Sequence, residues 1–192
     1  MTDIVEETAE RVAEQLYERL LVLRCQTGDE RAVAELVERF HARLRYYVRK
    51  MLPEGDQADD ILQEVWFDVY RKLPQLREPA AFRAWLYRIA RDRVFVVLRR
   101  RRPTYEALAE CDLAEAADED EEFTPEDARR VHEALAKLPC DQREVLVLRF
   151  LEEMSYEDIA RVSDSPLGTV RSRLHYAKRA LRLILEKDRC YE

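Results

Sequence analysis

In 192 residues the chain has only three glycines, Gly28, Gly55 and Gly168. A backbone so short of glycine has few positions that accept the left-handed turns and tight reversals on which sheets and irregular loops depend. Ala, Leu, Glu and Arg, all strong helix formers, dominate the intervening segments, and strand signals are weak. The expected fold class is all-α. The length suits two small helical domains, each able to bury a modest core.

Apolar spacing divides the chain. Val12, Leu16, Leu20 and Leu23 mark an amphipathic helix within Met1 to Leu23, so residues 1–19 read as an amino-terminal helical extension. Gly28 and Asp29 precede a helical stripe of Ala32, Val33, Leu36, Val37, Phe40 and Leu44. Pro53, Glu54 and Gly55 break the chain, and Asp56 with Asp59 makes a helix start, because carboxylates there accept orphan N–H groups and meet the positive end of the dipole. A third helix is expected from near Pro79 towards Arg102. Further on, Val131, Leu135 and Leu138 predict a short helix ending at Pro139, and another runs through Val145, Leu146 and Leu148 to Leu151. Ser155 with Asp158 resembles a capping box opening Tyr156 to Val162. Asp164, Ser165 and Pro166 then turn the chain into a helix from Leu167 to about Lys187. The last pair has a helix-turn-helix layout.

The net charge of −7 is unevenly placed. Residues 1–19 carry −4, 20–103 carry +6, 104–127 carry −11 and 128–192 carry +2. The acidic stretch 104–127 lacks apolar periodicity and reads as a solvated linker, first of all a solubilising tether, between segments with basic faces. Residues 188–192 form a tail. Without an apolar run of about 20 residues or a signal-peptide pattern in the acidic Met1 to Leu20, a cytoplasmic protein with no membrane insertion is expected. Cys25, Cys111, Cys140 and Cys190 are scattered, and His41, His132 and His175 make no metal pattern. With neither a glycine-rich phosphate loop nor a nucleophile at recognisable spacing from a base, the expectation is no catalytic site, no metal and no cofactor.

Three segments carry interaction chemistry. In the last helix Val170, Leu174 and Leu181 fall on one side and leave Arg171, Ser172, His175 and Lys178 outward. Six basic residues and one acidic residue between Leu167 and Lys187 give that helix phosphate affinity, and arginine can bind guanine bidentately. In Asp59 to Leu73 the stripe Ile61, Leu62, Val65, Val69 and Leu73 puts Asp60, Gln63, Glu64 and Phe67 on another face, a combination suited to binding protein. In Phe82 to Arg102, Phe82, Trp85, Leu86 and Ile89 face inward, while Arg83, Arg88, Arg91 and Arg99 to Arg102 are expected outside. Basic and aromatic groups together suit single-stranded DNA, although Trp85 itself reads first as core.

These three segments, in this order and spacing, resemble the bacterial RNA polymerase sigma factors of the sigma-70 family. The string Asp59, Asp60, Ile61, Leu62, Gln63, Glu64, Val65, Trp66 resembles the family's region 2 surface for the clamp helices of the polymerase β′ subunit. The resemblance implies Asp60, Gln63, Glu64 and Phe67 as core-polymerase contacts, and leaves Trp66 and Tyr70 open between core and clamp. Phe82 to Arg102 resembles the segment that recognises and melts the minus-10 element, which implies Arg88, Arg91, Asp92 and Arg99 as DNA contacts and the loop Pro74 to Ala81 as the cradle of a flipped base. Asp92 stands where asparagine is common; its carboxylate can accept from a cytosine amino group or pair with Arg88 or a neighbouring arginine, the second being slightly favoured. Ser155 to Lys178 resembles the region 4 segment that reads the minus-35 element, implying base contacts from Arg171, Ser172 and His175 and backbone contacts from Tyr156, Thr169, Arg173 and Lys178. On this resemblance region 2 spans 20–103 and region 4 spans 128–187. The lack of a long acidic amino-terminal domain and of a middle domain places the chain with the extracytoplasmic-function (ECF) group. The implied partners are core RNA polymerase, through β′ and β, promoter DNA and, as is common in the family, an anti-sigma factor.

Two other readings compete. A conventional helix-turn-helix regulator would bind specific DNA without polymerase. An enzyme with an appended DNA-binding domain would need a reactive constellation that the sequence does not display.

Overall fold

A computed structural model describes residues 2–52, 57–101 and 125–189. Those residues form eight helices and short connecting turns, with no strand among them. They are α1 (Thr2–Gln26), α2 (Glu30–Met51), α3 (Ala58–Lys72), α4 (Phe82–Arg101), α5 (Pro125–Lys137), α6 (Cys140–Leu146), α7 (Tyr156–Ser163) and α8 (Leu167–Arg189). Asp56, expected to open α3, the acidic linker as far as residue 124 and the tail beyond residue 189 lie outside the described residues.

Local chemistry accounts for the boundaries. At the α1–α2 junction Gly28 takes φ 87°, and the Asp29 carboxylate caps α2 by accepting from the backbone N–H groups of Arg31 and Ala32 at 3.0 and 3.1 Å. Arg24 also donates to Asp29, which holds that carboxyl below the usual range. Between α3 and α4 the chain makes two single 3₁₀ turns, Leu73–Gln75 and Pro79–Ala81, so the fourth helix proper begins three residues after the proline from which it was expected. α5 begins at Pro125, inside the stretch assigned to the linker. α6 passes into a π turn, Val147–Leu151, whose extra residue leaves Phe150 and Leu151 exposed.

α1 to α4 pack as one bundle around Leu36, Phe40, Leu44, Ile61, Val65, Phe82 and Leu86, while α5 to α8 pack around Val145, Leu148, Ile159, Val170 and Leu174. The two groups abut: α4 lies against α7 and α2 against α6, so the buried residues run on as one cluster. α4 therefore has core on two sides. Tyr87, Ala90, Val94 and Leu98 are buried along with the expected Phe82, Leu86 and Ile89, and the Tyr47 and Tyr87 rings meet edge to face at 5.3 Å. No helix among the described residues is long and apolar enough to cross a membrane.

Candidate functional site

The first surface belongs to α3. Ile61, Leu62, Val65 and Val69 are buried against the bundle, which turns Asp60, Gln63, Glu64 and Phe67 to solvent. Phe67 and Tyr70 are 62% and 69% exposed, a large unburied aromatic area for two neighbouring turns of one helix, with the Arg71 guanidinium 5.7 Å from the Phe67 ring centroid. Trp66 is half-buried and donates from Nε1 to His41 Nδ1 at 3.3 Å. Tyr70 thus belongs to the surface and Trp66 mainly to the bundle. Arg93 of α4 fixes the α3–α4 pair, donating to Glu64 at 2.9 Å and also to Asp68, whose pKa it lowers.

The second surface is α4 with the loop before it. Arg88, Asp92, Arg99 and Arg100 are exposed, and Trp85 is half-buried against Phe82. Arg88 reaches towards Asp164, just past the end of α7, at 3.9 Å rather than towards Asp92. Arg83 and Arg91, expected among the outward cations, are turned into ion pairs. Arg83 binds the buried Glu18 of α1 through two bonds of 2.8 and 2.6 Å. Arg91 donates from Nε to Glu144 of α6 at 2.9 Å and lies 4.3 Å from the Phe95 ring centroid.

Glu144 belongs to a set of polar contacts across the boundary between the helix groups that single-chain pattern reading did not find. It is fully buried, and its Oε1 also accepts from the Tyr47 hydroxyl at 2.8 Å. Burial pushes its pKa up, opposed chiefly by Arg91. Beside it, Arg43 donates to buried Glu152 at 3.0 Å and to the Leu151 carbonyl at 3.1 Å. Arg143 donates to the Lys50 carbonyl at 2.7 Å, and the Tyr46 hydroxyl shares a hydrogen bond with His132 Nδ1. One sequence signal for Glu144 existed: it stands four residues from both Cys140 and Leu148, on the apolar face of its helix, where a carboxylate needs a partner.

The third surface is the helix pair α7–α8. Ser155 Oγ accepts from the Asp158 N–H at 3.0 Å, as a capping residue should. Asp164 takes the left-handed conformation (φ 51°), and the Ser165 N–H returns to the Ala160 carbonyl at 3.1 Å, which stops α7 and aims α8. Val170, Leu174 and Ala177 are buried; Arg171, Ser172, His175 and Lys178 are exposed along one side. Arg173 is partly buried, bonded to Ser165 Oγ at 2.9 Å and paired with Asp141 at 3.4 Å. Thr169 and Tyr156 are half-buried, the latter beneath Arg149. The result is a polar, basic ridge on the second helix of a helix-turn-helix arrangement.

The family model for Sigma-70 region 2 matches residues 36–104, and that for Sigma-70 region 4 matches residues 128–181. The chain is 35% identical over 182 residues to the ECF RNA polymerase sigma-E factor of Escherichia coli (strain K12), covering 88% of this chain and 95% of that protein. It is 35% identical over 183 residues to the Haemophilus influenzae protein of the same description, covering 87% and 94%. Among solved structures it is similar to CnrH in complex with the cytosolic domain of CnrY, with a TM-score of 0.66, 27% identity and coverage of 89% and 98%. The sigma factor RpoE bound to the anti-sigma factor NepR from Bartonella quintana shares the fold, with a TM-score of 0.64, 24% identity and coverage of 80% and 96%.

Proposed function

Since this chain belongs to the ECF group of the sigma-70 family, whose members direct transcription initiation, we propose that it docks on core RNA polymerase through α3 and reads two promoter elements through α4 and α8. The observation that carries the reading is the α3 face, where exposed Phe67 and Tyr70 sit beside Asp60, Gln63 and Glu64. Aromatic area left in water next to carboxylates is the chemistry of a protein interface, with the ring as anchor and the charges setting orientation. The partner surface is the pair of β′ clamp helices. A plain DNA-binding regulator has no use for this face.

Arg171, Ser172 and His175 on α8 address bases of the minus-35 element, with Lys178, Arg173, Thr169 and Tyr156 towards the backbone. Arg88, Arg91, Asp92 and Arg99 line the path of the minus-10 strand, and the loop 74–81 receives a base drawn out of the stack. Arg91 must leave Glu144 to do so; DNA capture therefore goes with separation of the two helix groups. Each element binds weakly alone, and their covalent connection raises the effective concentration of the second once the first is held. The protein binds and positions, and the polymerase performs the chemistry. The solved relatives were captured with the cytosolic domain of CnrY and with the anti-sigma factor NepR, and a partner of the anti-sigma class is proposed for this chain as well.

Transcription in vitro with purified core polymerase and a pool of promoter fragments tests the reading. Adding the protein should produce initiation at a defined subset of start sites. No specific initiation, under conditions in which a known sigma factor works, would sink it.

A further inference from the structure

The carboxamide of Gln26, the last residue of α1, spans nearly 50 residues of sequence to reach the loop between α3 and α4. Its Nε2 donates to the Leu73 carbonyl at 2.9 Å and to the Leu76 carbonyl at 2.7 Å. Both donor hydrogens of one amide are thus spent on the carbonyls that bracket the first 3₁₀ turn, Leu73–Gln75. The Leu73 carbonyl also accepts from the Leu76 N–H at 3.1 Å, so the turn is closed from within and clamped from outside.

Holding the Leu76 carbonyl has a directional consequence. In a trans peptide the next N–H points opposite to the carbonyl, and no cis bond occurs among the described residues. With the Leu76 oxygen held towards α1, the Arg77 N–H faces away from it, and Gln75, Arg77 and Glu78 of the same loop are exposed. The far end of the loop is braced by the same helix: Glu18, 7% exposed, takes both Arg83 bonds at the first turn of α4. α1 therefore grips the loop on either side and leaves its middle free to meet a ligand.

We propose that Gln26 is a positioning residue for base capture, fixing the 73–77 backbone so that the outward edge of the loop, with the Arg77 N–H, meets the extruded base. The inference rests on the reading above that the loop receives a base. It assigns to α1, an amphipathic helix that is acidic over residues 1–19, a part in promoter discrimination that its sequence does not announce.

Gln26→Glu keeps the size but replaces the donor with an acceptor that repels both carbonyls, and Gln26→Lys restores a donor. Each variant is assembled with core polymerase and tested on fork-junction DNA carrying each of the four bases at the extruded position. Affinity for core and for an upstream-element duplex is measured alongside. Gln26→Glu should lose about tenfold in preference for the favoured base, the worth of two neutral hydrogen bonds, with both other affinities unchanged, and Gln26→Lys should recover most of that preference. Wild-type discrimination in Gln26→Glu overturns the inference and leaves the base-capture reading standing. A parallel fall in all three measurements also overturns it, marking Gln26 as merely structural. Absence of base preference in the wild-type complex refutes base capture by the loop and this inference with it.

Discussion

The Arg91–Glu144 pair makes a quantitative prediction. Glu144 is fully buried, with two donors on Oε1, Tyr47 at 2.8 Å and Arg91 at 2.9 Å, and a buried Oε2 without a hydrogen-bond partner. Arg91→Ala removes the one cation bonded to it and leaves a carboxylate in a desolvated site, which should cost about 3–5 kcal/mol at neutral pH. With a urea m-value of about 2 kcal/mol/M, the midpoint should fall by about 2 M. The loss should depend on pH. Burial raises the folded-state pKa of Glu144, so the proton-bound folded form is favoured: this group supports stability below its unfolded-state pKa, and the support disappears as pH rises through the folded value. Removing Arg91, the main influence holding that pKa down, raises it further. The difference between variant and wild type should therefore be largest above the folded pKa and shrink to about 1 kcal/mol in acid, where Glu144 is neutral in both proteins and mainly arginine packing is lost. Urea unfolding read by far-UV circular dichroism reports all the helices, while Trp66 and Trp85 fluorescence reports α3 and α4. The two transitions should coincide in the wild type and separate in Arg91→Ala. A penalty below about 1 kcal/mol, or one independent of pH, would refute the argument. The Arg91→Met/Glu144→Leu double variant is expected to be neutral or more stable, since both charges leave together.

Other outcomes follow from the three surfaces. Asp60→Ala/Glu64→Ala should weaken core-polymerase affinity at least about tenfold in a fluorescence titration with the helical spectrum unchanged, and Phe67→Ala should lose about thirtyfold as an aromatic anchor. Arg171→Ala should lower affinity for the upstream duplex by about 10- to 100-fold and relax preference at one base position in a binding-site selection. Ser155→Ala removes the α7 cap and should lower stability by about 1 kcal/mol in the same urea assay, with upstream binding falling in step.

What the sequence disclosed was its local chemistry. The Gly28–Asp29 junction, the Ser155–Asp158 cap and the inward set Val170 and Leu174 depend on residues a few positions apart, and all appear as expected. The outward position of Asp60, Gln63, Glu64 and Phe67 likewise follows from one helical period. What stayed hidden was chosen by distant partners. Arg83 and Arg91 have the spacing of exposed cations, yet their carboxylates lie 65 and 53 residues away. α4 reads as one-sided because nothing in its own pattern says that α7 packs against it and that Tyr87 and Ala90 are buried as well. Gln26 is invisible for the same reason: its acceptors are main-chain carbonyls, which carry no sequence signature.

Among the contacts that close α2 and α4 onto α6 and the residues after it are arginine–carboxylate and tyrosine–carboxylate pairs, and both carboxylates, Glu144 and Glu152, lie out of water. Small ions screen such shielded pairs poorly, so ordinary changes in ionic strength should leave the closed form largely intact. On the proposed reading a polyanion would differ, because phosphates drawn to the exposed Arg88, Arg99 and Arg100 of α4 would bring neighbouring phosphates to compete for Arg91 and Arg43. The same boundary would then act as a filter on the kind of negative charge in solution, indifferent to chloride and responsive to a strand of DNA already held in place.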